Sequence, residues 1–218
     1  MIVFSKRLLP AMGILFVLAG FFFCFVPPSL SVNTTALSGG DILSVHDMRS
    51  LEPGDFILRR GNGFMSTLII QALGGTTGLS HAGVLYTDDD GFAVIHSVSR
   101  GLSPIDGVQC ERLESFVKKS STNSTVVVRV RASQDERKVL VEAAKTLLYQ
   151  GGSFDREFKL GGTDIYCSEL LWRILPDDLR DKSIQIDDVS GVIRFESFLD
   201  ERYYERIVDK RIPSKRID

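Results

Sequence analysis

The chain has 218 residues, with 26 Lys and Arg against 28 Asp and Glu, and 44% hydrophobic residues. That length suits one globular domain with a tail or anchor, and the near-balance of charge argues against a nucleic-acid partner, which calls for a basic face. Ordinary charge and aromatic content exclude disorder beyond the first segment, and three cysteines (Cys24, Cys110, Cys167) are too few for a disulfide scaffold, although Cys110 and Cys167 could pair.

Lys6 and Arg7 precede an almost uninterrupted apolar run from Leu8 to Val26, which Pro27 and Pro28 end. The run just meets the roughly 20 residues a spanning helix needs. The basic pair before it favours an N-terminus held inside the cell and a domain outside the cytoplasm. Residues 1–28 are read as a signal-anchor or transmembrane segment, with secretion after signal cleavage as the alternative. Residues 29–40, rich in Ser, Thr, Asn and Gly, read as a linker. The folded domain spans 41–218.

Glu52-Pro53-Gly54-Asp55 signals a turn, and Phe56 to Arg60 a strand. Phe64 to Leu73 predicts a short helix and Gly74 to Gly78 a loop. The latter is no phosphate loop, because no Gly-Lys-Ser/Thr follows. Ala82 to Tyr86 and Phe92 to Val98 predict two strands of a hairpin turning at Asp88 to Gly91. Leu113 to Lys119 predicts a helix and Thr125 to Arg131 a strand. Ser133 with Glu136 has capping-box spacing for a helix that runs to about Tyr149 and stops at Gly151-Gly152. Cys167 to Leu175 predicts a helix ending before Pro176. The stretch from Arg194 to Asp209 is amphipathic. Strands and helices segregate, so the expected class is α+β with an antiparallel sheet packed against helices.

Cys167 opens its helix. There the macrodipole favours thiolate, and backbone N–H groups can meet an oxyanion. A buried structural cysteine is the plain alternative. His81 and His96 fall on the two strands of one hairpin, where they can share a face as a base and its orienter. Either histidine alone is more simply a sheet residue. His46 precedes the first strand and receives no role. Metal ligation needs three or four ligands at motif spacing; there is no Cys-x-x-Cys and no His-Glu-x-x-His. Neither metal nor cofactor is expected.

The stretches Pro53-Gly54-Asp55-Phe56-Ile57, Ser80-His81-Ala82-Gly83-Val84-Leu85-Tyr86 and Val94-Ile95-His96 resemble the β-core of NlpC-type papain-like hydrolases. The cysteine motif Tyr166-Cys167-Ser168-Glu169-Leu170 follows the histidines instead of preceding them. That order resembles the circularly permuted branch, the YiiX/YebB-like proteins, related in layout to lecithin–retinol acyltransferase. Gly152 to Phe158 also resembles that branch's Tyr-Asp-x-x-Phe signature, with Phe154 where tyrosine is usual. The resemblance spans roughly Leu51 to Leu175.

It implies Cys167 as nucleophile, His81 as base and His96 as the third polar residue, where many permuted members carry glutamate. Tyr166, Ser80 and Asp155, in or beside these motifs, become candidates for substrate or oxyanion contact. The expected activity is a cysteine hydrolase of amide bonds, with cell-wall peptides as natural substrates for an exported domain. A lipid acyl hydrolase or acyltransferase with the same triad is the alternative, and a membrane-anchored binding domain with an inactive cleft is a third. An apolar trough beside the cysteine would favour lipid, and a polar, charged cleft would favour peptide.

Overall fold

A computed structural model describes residues 41–72 and 76–211. The N-terminal apolar run, the linker and part of the glycine loop lie outside them. Among the described residues no helix is long and apolar enough to cross a membrane.

The fold is α+β. Six strands form one antiparallel sheet: β1 (Phe56–Arg59), β2 (His81–Asp88), β3 (Gly91–Val98), β4 (Gly107–Arg112), β5 (Val126–Val130) and β6 (Tyr204–Asp209), in the spatial order β4-β3-β2-β1-β5-β6. The helices are α1 (Val45–Ser50), α2 (Phe64–Ala72), α3 (Leu113–Lys118), α4 (Gln134–Gln150), α5 (Cys167–Ile174) and α6 (Asp177–Ser183), with a 3-10 turn at Phe195–Leu199. The hairpin, the capped α4 and the cysteine helix follow the sequence expectation within a residue or two. Three elements were not expected: β4, α1 and α6. The amphipathic stretch 194–209 resolves into the 3-10 turn and the edge strand β6.

Period-two alternation sorts the sheet into two faces. Phe56, Leu58, Ala82, Val84, Ala93 and Ile95 meet Leu140, Val141 and Ala144 of α4 and Leu170 and Leu171 of α5 in the larger core. Ile57, Leu85, Val94 and Val127 meet Leu113, Phe116 and Val117 on the other side. Apolar burial at roughly 25 cal/mol per Å² makes these two layers the main stabilising contribution.

Local chemistry closes the ends. Ser133 and Glu136 form the reciprocal capping box of α4. Asp41 accepts from the backbone N–H groups of Asn123, Ser124 and Thr125, clamping the start of the described domain to the entrance of β5. Gly107 opens β4 with φ +87, and a Cβ there would lie 1.7 Å from the Gly152 carbonyl oxygen, so only glycine lets β4 pass the end of α4.

Candidate functional site

Sheet register assembles the site. Gly83 pairs with His96, His81 with Arg59, and Val94 with Glu111. With alternation, Arg59, His81, His96 and Glu111 all project from the α3 face: Arg59 stands directly opposite His81, and His81, His96 and Glu111 step diagonally across β2, β3 and β4. Diagonal neighbours on adjacent strands lie within reach of long side chains. Between the histidines on that face is Gly83, where a Cβ would sit 2.8 Å from the Ile95 carbonyl oxygen and 3.0 Å from His96 Cβ. The missing side chain is what lets the two imidazoles meet.

They do meet: His81 Nε2 and His96 Nδ1 are 2.9 Å apart, with the rings 5.0 Å apart and nearly perpendicular. Phe116 of α3 stacks on His81 at 5.5 Å and presents its edge to His96 at 5.2 Å. On the far side, His96 Nε2 faces Glu111 Oε2 at 3.6 Å. That is too long for a formed hydrogen bond, but a carboxylate there favours a proton on Nε2. We therefore assign His96 Nε2–H toward Glu111, leaving His96 Nδ1 as acceptor and His81 Nε2–H as donor. The free lone pair of the relay is then His81 Nδ1. Glu111 also receives Lys119 Nζ at 2.7 Å. Burial alone would raise the Glu111 carboxyl, but His96 and Lys119 hold it down at about 2. Burial, with the Arg59 charge adding to it, pushes His81 well below the usual histidine value. Burial lowers His96 as well, against the pull of Glu111. Both imidazoles rest neutral.

Cys167 approaches from the opposite side of the sheet. Its helix packs on Ala82 and Val84, and its sulfur sits at the start of β2 with the backbone N–H groups of Ala82, Ser168 and Cys167 itself directed at it. The rest of the motif holds that helix start. Tyr166 Oη accepts from Ile193 N at 3.4 Å and Ser168 Oγ donates to Ile193 O at 3.4 Å. Buried Glu169 accepts from Gly161 N at 2.9 Å and from Arg173. Ser97, beside His96, donates to Ile165 O at 2.5 Å, tying β3 to the segment before the cysteine helix.

Burial reverses the expectation of a low thiol pKa. Cys167 is 6% exposed, and desolvation pushes its thiol up to about 11 although the backbone donors and Arg59 oppose it. The cysteine is a free thiol, so it is not paired with Cys110.

One cavity of about 630 Å³ is lined by Cys167, His81, His96 and Glu111, together with Ser80 and Tyr166. Ser80 Oγ accepts from Gly61 N at 3.1 Å and so also anchors the β1 exit. Asp155 does not line it. Its oxygens accept from Glu157 N at 2.8 Å and Lys159 N at 2.6 Å, shaping a loop that puts Phe158 at φ 55, a left-handed conformation rare for a bulky residue. Its neighbours Phe154, Arg156 and Phe158 line the cavity instead. His46 lies exposed in α1, away from the cavity. Glu111 was missed because β4 was missed; the alternation Val108-Gln109-Cys110-Glu111 just after the hairpin was the available signal.

An antiparallel α+β fold with a helix-opening cysteine and a two-histidine hairpin thus defines the class. A solved structure similar to it is the metalloprotein yiiX from Escherichia coli O157:H7, at a TM-score of 0.61 and 17% identity, covering 75% of this chain and 99% of that one. The likeness is one of fold: this chain has a YiiX-like fold. No protein-family model matches the sequence, and no curated protein matches it. Among the described residues no group of three or more His, Cys, Asp or Glu side chains is arranged to hold a metal ion. The two imidazoles spend a nitrogen each on one another.

Proposed function

We propose that this protein is a cysteine-dependent acyl hydrolase or acyltransferase of the permuted papain-like kind, acting on substrates with an apolar acyl chain. The observation that carries the reading is a thiol and a carboxylate-backed imidazole pair lining one cavity whose other walls are mainly apolar: Met65, Ile69, Leu102, Phe154, Phe158 and Phe195. That lining favours an acyl chain over a peptide. Among the lining residues, Leu102 is 55% exposed and Met65 48% exposed. Such a lining suits a lipid surface, in keeping with the apolar N-terminal run as a tether that holds the domain at a membrane, outside the cytoplasm.

In this mechanism His81 Nδ1 takes the thiol proton as Sγ attacks the acyl carbon, so the thiolate forms only as the new bond does. Neutral resting partners suit general-base attack better than a standing thiolate–imidazolium pair. The backbone N–H groups of Cys167 and Ser168 meet the oxyanion. His81 then returns the proton to the leaving alcohol, thiol or amine. Water, or an acceptor in a transferase, releases the acyl group by the reverse proton path. His96 and Glu111 hold the His81 tautomer.

Octanoyl thioesters and p-nitrophenyl esters test the reading beside a small peptide amide. Turnover of the acyl substrates, with an acyl adduct on Cys167 by intact mass and none in Cys167→Ala, is expected. Equal turnover by Cys167→Ala, or cleavage of the amide alone, would refute it. Protease digestion of the domain in intact spheroplasts tests the topology; protection until lysis would place the domain inside.

A further inference from the structure

Arg59 is a charged residue of this cavity to which the relay gives no direct chemical role. It is 7% exposed and lines the cavity. Its Nη1 donates to the Lys119 carbonyl oxygen at 2.6 Å, and its guanidinium lies 4.5 Å over the Phe116 ring. Its Nε has no hydrogen-bond partner, and among the described residues no carboxylate lies within ion-pair distance of it. Glu111, the acid of this cavity, is taken by Lys119 at 2.7 Å. Buried arginines are ordinarily paired, since an unpaired buried charge is costly. Two other largely buried arginines among the described residues are paired: Arg129 reaches Asp55 and Glu52, and Arg137 reaches Glu52. The same cavity also carries Lys118, Lys119 and Arg156 against a single acid, so its lining is net positive in a chain whose net charge is -2.

We propose that Arg59 is the specificity-determining residue of an anion subsite, which receives a carboxylate or phosphate carried by the leaving group of the acyl substrate. The side of the scissile bond follows from register. Arg59 is the β1 partner of His81, and His81 is the residue that returns a proton to the leaving group. An anion beside Arg59 therefore belongs to the departing alcohol, thiol or amine, while the acyl chain occupies the apolar walls. The substrate is amphiphilic, an apolar acyl group joined to an anionic head. A guanidinium suits both carboxylate and phosphate because its planar fork meets two oxygens at once. The proposal rests on the acyl-transfer reading for its position, but not for the existence of the anion site.

The test compares octanoyl thioesters of thioglycolate (carboxylate), 2-mercaptoethyl phosphate (phosphate) and 2-mercaptoethanol (neutral). Wild-type kcat/KM is expected to favour an anionic thioester over the neutral one by about ten- to hundredfold, and the better anion identifies the head group. Arg59→Gln should bring that ratio to within about threefold of unity, with Arg59→Lys between. A wild-type ratio near unity, or a ratio that survives Arg59→Gln, would overturn the proposal and leave Arg59 a buried strut hydrated by water. The ratio is internal to each protein, so a general loss of activity does not imitate the result, and Arg59→Lys stands in if the Gln variant does not fold. A binding arm separates the two claims. Cys167→Ala protein is titrated calorimetrically with N-octanoylglycine and with its methyl ester. Tighter binding of the acid by tenfold or more, lost in the Arg59→Gln, Cys167→Ala protein, supports the anion subsite even if no thioester turns over. Turnover without any preference for acid in either arm sinks the subsite and spares the hydrolase.

Discussion

Two buried polar clusters on the same sheet, one around Asp55 and one beside Cys167, are built to opposite standards. In the first, Asp55 is fully buried and accepts from Arg129 Nε at 2.7 Å, Arg129 Nη2 at 2.9 Å and Glu52 N at 2.8 Å. Arg129 spends its remaining nitrogen on Glu52 at 2.8 Å. In the second, beside Cys167, His96 Nε2, Glu111 Oε1 and Arg59 Nε are all buried without a hydrogen-bond partner. In the first cluster Asp55 and Arg129 are fully partnered, although Arg137 Nε beside Glu52 is not, and the pair locks the Glu52-Pro53-Gly54-Asp55 turn onto β5. The second keeps capacity in reserve, as a site does when its remaining partners arrive with a substrate. A cluster that is satisfied should register in stability, and one that is not should register in activity.

The largest expected effects break the comparison from each side. Cys167→Ala and His81→Ala should each lower acyl turnover by about a thousandfold or more, and the double variant should fall to the same floor, with melting temperature nearly unchanged. Arg129→Met leaves Asp55 buried without its cation and should cost about 3–5 kcal/mol of stability, read by chemical denaturation. A folded, fully stable Arg129→Met protein would contradict the division.

A second level concerns the relay behind the base. His96→Ala should cost about a hundredfold in kcat and Glu111→Gln about tenfold, since both act through the orientation of His81. His96→Glu should recover part of the loss, because a carboxylate can accept from His81 Nε2–H directly. An inactive His96→Ala beside an active His81→Ala would show that base and orienter are reversed.

Acidity sharpens the same division. Burial pushes Cys167 up to about 11, so iodoacetamide labelling of the free protein should be slow at pH 7 and still rising above pH 9. A plateau by pH 8 would show a thiolate already formed. Stability also has a definite sign. The folded pKa values of His81 and His96 lie below the ordinary 6.5, so the unfolded chain takes up protons first and stability falls as pH drops below 6.5. Glu111, held at about 2 against 4.5, favours the fold above pH 4.5, and that contribution fades as pH falls from 4.5 toward 2. Glu111→Gln should remove the lower of these two limbs. The smallest effect is expected at Tyr166→Phe, which loses a 3.4 Å bond from Ile193 N and should cost under about 1 kcal/mol.

Much of this was legible before any coordinates, and the reason is local. The valine-rich run at 126–130, the hairpin around Asp88 and the Ser133–Glu136 cap carry their own short-range signals. So did the pairing of His81 with His96, because a two-strand hairpin and period-two alternation suffice to predict it. What escaped was decided at longer range. β4 is an edge strand of mixed polarity, Gly107-Val108-Gln109-Cys110-Glu111-Arg112, and only its pairing with β3 turns Glu111 toward His96. The acidity of Cys167 was misjudged because a helix start favours thiolate while burial opposes it, and burial is set by the packing of α5 on the sheet, which no motif announces. Arg59 read as the end of a strand; its lack of a partner is visible only when every neighbour has been placed.

The strand order β4-β3-β2-β1-β5-β6 bears on how the chain acquires its chemistry in time. β2, β3 and β4 are joined by short connections and pair with their immediate successors, so His81, His96 and Glu111 belong to a meander of low contact order, the kind of unit that forms early. Cys167 arrives on a helix that must dock onto that finished surface, and synthesis delivers it later. Destabilising the β2–β3 hairpin, for example by Val94→Ala, should therefore slow folding, whereas Leu171→Ala in α5 should mainly hasten unfolding. On this order the His81–His96–Glu111 array stands assembled before Cys167 is in place, so the thiol meets its imidazole only when α5 docks.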